Sequence, residues 1–395
     1  MSVIHFYTTS SKGSGAKQRI RNIDANVAHR LADEIIEVAI YSIKEYSYFH
    51  TKAGKEKLSP LVSKRLGIPL LLHFHWFYKL CFSLTILFLC WKYRPDYIIG
   101  EKSDCYKGLV FVKLFPKKTK LIIDFHGAVP EEYAYENPTT FDRKKYERAE
   151  KGELFLANSA DYMICQSEEM KCHLSRKYGA NSERISVYKC GVDMELFKIL
   201  PQERIEKRKE LGIDNNDMVF VYSGGMHRWQ RIADTLSIFD QYHAQNVNSK
   251  MLVLTRDQKN LDRIINENNL SHLKDSIISI SLTINEVPKY LNVADVAFLL
   301  RDNVVMNAVA SPTKLGEYLA CGLPVVTTEV ANKWVVEEAR DFVLNIDDVE
   351  DVNHEIDTLI NHVDKKKIRE YAGKHLSIEI DNQNVEQMML RLKNA

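Results

Sequence analysis

Ser311, Thr313, Lys314 and Glu317 introduce the stretch SPTKLGEYLACGLPVVTT at 311–328, and their order suits the binding of an anion. Ser311 is a good N-cap and Pro312 fits a first helical position, so a helix is expected to begin at Pro312. Leu315, Leu319 and Ala320 give it an apolar stripe. Gly322 stands where a left-handed residue closes a helix, Pro324 forbids continuation, and 325–328 reads as a short buried strand. A helix N-terminus rising from a small-residue loop offers unpaired amides and the positive end of a dipole, the simplest protein site for a phosphate. Glu317, just over one turn in, is near enough to meet whatever the phosphate carries. Cap, glycine stop and strand also make up any ordinary α/β unit, so this stretch alone does not define a site.

Other polar constellations sit at the ends of expected strands. SSKGSG at 10–15, with Gly13 and Gly15, separates a strand at 3–8 from a helix at 16–31; it is either a backbone cradle or a flexible turn. The strand LIIDF at 121–125 ends in His126-Gly127, followed by Glu131 and Glu132. A strand at 218–222 ends in Ser223, Gly224 and Gly225, with Arg228 and Arg231 next, a pattern that suits a pyrophosphate or, alternatively, a tight turn with solvated arginines. Residues just past the carboxyl ends of parallel strands are where open α/β sheets bind ligands.

The elements that must position these residues alternate twice. Strands are expected at 3–8, 35–41, 121–125, 161–166 and 185–188, and then, after a charged segment with Pro201, at 218–222, 251–255, 277–281, 296–300 and 325–328, with helices between. This predicts an N-terminal domain over 1–195, a linker over 196–213, a second domain over 214–375 and a C-terminal helix over 376–395 that packs back across both. Ser167 and Gly179 bound a helix between them as cap and stop. A chain of 395 residues with 45% hydrophobic and 27% charged residues is long enough for two cores. Its 54 basic and 53 acidic residues leave a formal charge of +1, so no global field draws it to nucleic acid. Seven scattered cysteines without a CxxC pair, and no signal peptide, read as reduced thiols of a cytoplasmic protein. The apolar segment 68–91 is interrupted by His73, His75 and Lys79, which argues against a membrane span. With the lysines at 52–64 it suits either peripheral contact with an anionic membrane or a core crossover helix.

ADYMICQSEEMKCHLSRKYGANSERISVYKCGVDMELF resembles the domain-junction segment of glycosyltransferase family 4, and SPTKLGEYLACGLPVVTT resembles that family's donor-site helix and following strand. VYSGG, VPKYLNVADVAFLL and DFHG add weaker support. The resemblance implies an α/β protein of the GT-B fold, two Rossmann-like doubly wound domains facing a cleft. It also implies retaining transfer of a sugar from a nucleoside diphosphate sugar as co-substrate, with no cofactor and no metal.

Carried over by position, Glu317 resembles the second glutamate of an E-x7-E motif, which binds the donor ribose. The first falls at Val309, leaving Asp302, Asn303 or Asn307 to meet the sugar. His126 resembles the histidine near the transferred sugar, so His126 and Glu317 are the expected catalytic pair. Arg228, Arg231 and Lys314 are candidates for the diphosphate, and Gly224, Gly225, Arg301, Ser311, Thr313 and Leu315 complete the donor side. Gly13 and Gly15 resemble the first glycine loop, on the acceptor side. The expected partners are a nucleotide-sugar donor and a glycan or lipid-linked acceptor of surface polysaccharide assembly (capsule, O-antigen or exopolysaccharide), with peripheral contact at the inner face of the membrane. A nucleotide-sugar epimerase and a non-catalytic subunit of a polysaccharide complex are the competing readings.

Overall fold

A computed structural model describes residues 1–8, 14–42, 60–70, 75–101, 119–136, 138–330 and 333–394. Short runs such as VFVYS and VAFL are apolar without alternation, as expected of parallel strands covered on both faces, and all their residues are buried. The strands are β1 (Ser2–Thr8), β2 (Glu34–Ser42), β3 (Lys64–Leu70), β4 (Tyr97–Glu101), β5 (Lys120–Phe125), β6 (Tyr162–Cys165) and β7 (Ile185–Val187). A second set follows: β8 (Met218–Ser223), β9 (Ser249–Leu254), β10 (Ile277–Ile280), β11 (Val296–Leu299), β12 (Val325–Thr327) and β13 (Val343–Asn345).

The first set forms a seven-stranded sheet in the order β3-β2-β1-β4-β5-β6-β7, the second a six-stranded sheet in the order β10-β9-β8-β11-β12-β13. Every pairing is parallel. Both sheets are doubly wound, as expected. In each, the strand order reverses at one point, between β1 and β4 and between β8 and β11, and an open α/β sheet binds its ligand at such a point, beyond the strands' carboxyl ends.

The chain divides into two compact units, one of residues 1–189 with 381–395 and the other of residues 190–380. The segment 196–213, expected as a linker, is instead folded within the second unit as the helix Pro201–Glu210. Its charge is spent on the backbone. Arg204 donates to the carbonyls of Asn292, Val293 and Ala294, and the buried Arg208 donates to Val293 O and pairs with Asp295 at 2.9 Å. These arginines satisfy carbonyls left over after the helix Val287–Leu291.

β3 was also not expected. KRLGIPL carries two charges, a glycine and a proline, which hide a strand in sequence but are tolerated at a sheet edge, where β3 lies. The apolar segment 68–91 accordingly begins as the end of this strand, and its helix is His75–Tyr93. The caps are as expected elsewhere: Ser167 accepts from the amide of Met170, and Gly179 closes that helix at φ 68°. The last helix, Ile378–Asn394, buries Val385, Met388, Met389 and Leu392 in the core of the first unit.

Candidate active site

In the second unit, the carboxyl ends of β8 and β11 flank the reversal of strand order; β8 ends in Ser223 with Gly224-Gly225 next, and Arg301 stands two residues past β11. The helix Thr313–Ala320 is tied to the end of β8 by two side chains one turn apart, which therefore share a face. Lys314 Nζ donates to the Tyr222 hydroxyl at 3.2 Å and to Gln230 Oε1 at 3.0 Å, and lies 4.8 Å from the centre of the Tyr222 ring. Tyr318 OH accepts the amide of Ser223 at 2.8 Å. Gly224 has φ 145°, and a Cβ there would collide with Lys314 Nζ, so only glycine serves. Gly225 is freer: a Cβ would touch only the His227 ring, at 3.2 Å.

Arg301 is held by its backbone, whose amide and carbonyl both bond the Thr328 hydroxyl, at 3.0 and 2.9 Å. Its guanidinium is buried, and Nη1 has no partner among the described residues. Burial lowers the proton affinity of Arg301, with Tyr222 and Tyr318 opposing. Burial likewise pushes Lys314 well below the usual lysine range, reinforced by Arg301 and opposed by Glu317. Glu317 moves the other way: burial raises its carboxyl to about 7, against the attraction of Lys314. Two adjacent cations are thus destabilised by their surroundings, with one weakly ionised carboxyl near them. Buried charge is tolerated when something pairs it, and an incoming anion does so.

The other donor-side candidates sort differently. Arg231 is already neutralised by Asp234 at 2.7 Å and Asp302 at 3.7 Å, and Arg228 is exposed. Ser311 does not cap the helix. Pro312 is the N-cap, without a side-chain bond, and the first helical residue is Thr313 rather than Pro312, because Pro312 takes an extended ψ of 113°. Ser311 and Thr313 remain at the open N-terminal end, and the amides of Thr313 and Lys314 have no carbonyl of their own helix to meet. Leu315 is a core residue, fully buried, with its amide bonded to Pro312 O at 3.2 Å. Val309 is also buried, Asn303 is exposed, and Asn307 donates to Asp302 O.

In the first unit, His126 follows β5 and its Nδ1 lies 3.3 Å from Asp124 Oδ2. Asp124 is fully buried. Burial raises its carboxyl, but the charge and hydrogen bonds of Arg19, aided by His126, hold it well below the usual carboxylate range. Gly127 leaves room for Glu132, whose carboxylate would collide with a Cβ there. The helix Val129–Glu136 is anchored at its first amide by Glu153 Oε1 at 2.9 Å, and Glu153 Oε2 accepts from the Tyr178 hydroxyl at 2.8 Å. Glu131, Glu153 and His173 offer ligand atoms within 4.8 Å of one another, and Lys177 donates to Glu131 at 2.5 Å. Gly15 is the second residue of the helix Ser14–Ile23, and Gly13 lies outside the described residues.

Tyr222, Gln230, Tyr318, Arg19, Asp124 and Glu153 were not among the expected site residues. Each acts through a partner distant in sequence. Only the four-residue spacing of Lys314 and Tyr318, and the two-residue spacing of Asp124 and His126, left a trace that periodicity could have exposed.

Fold and site together define a doubly wound, two-unit α/β protein with Arg301, Lys314 and Glu317 gathered at the strand reversal of its second sheet. Comparison with known proteins gives the family. The model for "Glycosyltransferase Family 4" matches residues 25–196, and that for "Glycosyl transferases group 1" matches residues 217–362. The chain belongs to the glycosyltransferases of GT-B fold.

Among curated proteins it is 24% identical over 241 residues to chitobiosyldiphosphodolichol beta-mannosyltransferase of Debaryomyces hansenii, covering 55% of this chain and 49% of that protein. It is 26% identical over 193 residues to the putative teichuronic acid biosynthesis glycosyltransferase TuaH of Bacillus subtilis, covering 48% and 45%. The chain thus matches about half the length of these relatives. Anabaena Alr3699/HepE, solved in complex with UDP-glucose, superimposes with a TM-score of 0.70 at 12% identity, covering 98% of this chain and 99% of that one.

Proposed function

We propose that this protein transfers a sugar from a nucleoside diphosphate sugar to a glycan or lipid-linked glycan, with retention, in the assembly of a surface polysaccharide. The observation that carries the reading is the pair of buried Arg301 and half-buried Lys314, two cations with no carboxylate at ion-pair distance among the described residues, beside a helix N-terminus at the strand reversal of the second sheet. A diphosphate answers their charge. As the bond from the anomeric carbon to the diphosphate breaks, negative charge grows on the leaving phosphate, where preorganised donors act most strongly. Glu317, three residues beyond Lys314, accepts from the donor ribose. His126 keeps the role that the family resemblance implies for it, a hydrogen bond to the transferred sugar. No protein nucleophile is assigned.

The names of the relatives favour this acceptor class. One acts on a dolichol-linked chitobiose, and another serves teichuronic acid biosynthesis. The helix His75–Tyr93 adds a physical argument. Leu80, Leu84, Phe88 and Trp91, spaced along one face, are 40% to 73% exposed, while Ser83, Ile86 and Cys90 are buried on the other. Lys64 and Lys92 lie against Tyr93 at the end of this stripe. No helix among the described residues is long and apolar enough to cross a membrane. An apolar stripe ending in aromatic and basic residues suits the surface of an anionic bilayer, where a lipid-linked acceptor resides.

Incubation with UDP-, GDP-, ADP- and CDP-sugars tests the reading, followed by release of free nucleotide and transfer to lipid-linked glycans. One nucleotide class is expected to turn over, and Lys314→Ala to reduce turnover about a hundredfold or more. Conversion of the sugar nucleotide without an acceptor, the sugar remaining attached, gives the epimerase reading instead. Val309, buried where the family pattern has a glutamate, favours one other outcome, nucleotide binding with no turnover, which marks a non-catalytic subunit.

A further inference from the structure

We infer that Arg19 and Asp124 act as positioning residues for His126, fixing the ring so that Nδ1 faces Asp124 and Nε2 is the nitrogen presented to substrate. The inference rests on the assignment of His126 to the reaction.

Asp124 is the fifth residue of β5, and the two-residue period of a strand carries it and His126 to one side while Phe125 enters the core on the other. The Asp124 carboxylate is held at both oxygens. Arg19 Nε donates to Oδ2 at 2.8 Å and Nη2 to Oδ1 at 2.5 Å. The third nitrogen, Nη1, donates to the carbonyl of Tyr188 at 2.7 Å, and the guanidinium lies 5.5 Å from the Tyr188 ring centre. Arg19 is itself buried. One guanidinium therefore locks together the helix Ser14–Ile23, the end of β5 and the residue following β7.

Stability alone accounts poorly for such an arrangement. Replacing a buried ion pair by apolar groups of similar volume is often neutral or favourable, whereas a carboxylate fixed to this degree orients what it touches. Among the described residues His126 also lies against this carboxylate, its Nδ1 3.3 Å from Oδ2, within ion-pair distance though not aligned as a hydrogen bond. An ionised carboxylate can only accept, so it selects the ring form with a proton on Nδ1. The neutral ring then carries its lone pair on Nε2, and if the ring gains a proton the same carboxylate stabilises the imidazolium.

Asp124→Asn separates this role from simple packing. Arg19 offers donors to both positions, so either orientation of the asparagine costs one of its bonds; with the carbonyl kept on Nη2, the NH2 stands at the Oδ2 position against His126 Nδ1 and demands the opposite tautomer. In protein labelled with ¹⁵N-histidine, with His126 assigned by the resonance lost in His126→Gln, the neutral parent is expected as the Nδ1–H form and Asp124→Asn as predominantly the Nε2–H form. Turnover is expected to fall about 10- to 100-fold in Asp124→Asn with the donor KM within about threefold of the parent, and to fall no further when Asp124→Asn is added to His126→Gln.

Should Asp124→Asn fail to fold, Arg19→Lys is read in its place, with a mixture of tautomers and a several-fold loss of kcat expected. An unchanged tautomer in the folded variant overturns the inference. So does unchanged turnover in a variant whose parent loses activity on His126→Gln. Full activity in His126→Gln instead removes the role assigned to His126 itself, and leaves the tautomer result as a separate statement about Asp124.

Discussion

Glu317 is half-buried, and its neighbours exclude most of its water. Burial raises its carboxyl to about 7 against the pull of Lys314, so near neutral pH its charge responds to small changes. Because the folded value lies above the ordinary carboxylate range, folding favours the protonated form, and the group's contribution to stability declines as pH rises from that range to about 7. The functional sign is opposite. In the role proposed for Glu317, the carboxylate is the form that accepts from the donor ribose, so the donor kcat/KM is expected to fall as pH drops below about 7. Rates measured across neutral pH should show this limb in the parent, and Glu317→Gln should lack it. A limb that persists in Glu317→Gln assigns it to another group.

Much at this scale was legible. Lys314, Glu317 and Gly224 stand in motifs whose capping and turn chemistry is local. The partners of Lys314 were not, because Tyr222 and Gln230 lie 92 and 84 residues away and meet it only when β8 and the helix Thr313–Ala320 are side by side. Arg228 and Arg231 looked as apt as Lys314 in sequence; the carboxylates beside Arg231 and the exposure of Arg228 set them apart from it.

Elements were read well where their pattern was strong and poorly where composition served another purpose. Continuous apolar strands such as β8 and β11 announced themselves. β3 did not, since an edge strand tolerates the lysine, arginine, glycine and proline of KRLGIPL. The helix Pro201–Glu210 was hidden because its arginines look solvated in sequence and are in fact consumed by carbonyls.

The helix His75–Tyr93 is the element with the most consequence outside the fold. Fully burying a leucine- or phenylalanine-sized side chain contributes about 1.5–3 kcal/mol, so partial insertion of Leu80, Leu84, Phe88 and Trp91 suffices for reversible membrane contact once the lysines add their share. Flotation with anionic vesicles is expected to carry the parent protein upward, and with zwitterionic vesicles to carry less. The exposed substitutions Leu84→Glu and Phe88→Glu together should abolish flotation without lowering the melting temperature appreciably. Equal flotation by parent and variant removes this helix from the account.

At the scale of the molecule, the same strand order is used twice, with different chemistry at each reversal. Close to the first, His126 lies against the buried carboxylate of Asp124; at the second are two cations and a carboxyl raised to about 7. The doubly wound class followed from two runs of alternating strands and helices, but the place of each site in its sheet could not, because strand order is a property of long-range pairing.

The central claim is that Arg301 and Lys314 hold a diphosphate. Calorimetric titration with UDP, GDP, ADP and CDP tests it directly. One of the four should bind the parent, and Arg301→Ala and Lys314→Met should each weaken that binding about tenfold or more, as loss of a hydrogen bond to a charged group does. If folded Arg301→Ala and Lys314→Met proteins bind the same nucleotide as tightly as the parent, the diphosphate lies elsewhere and the account of this site is wrong.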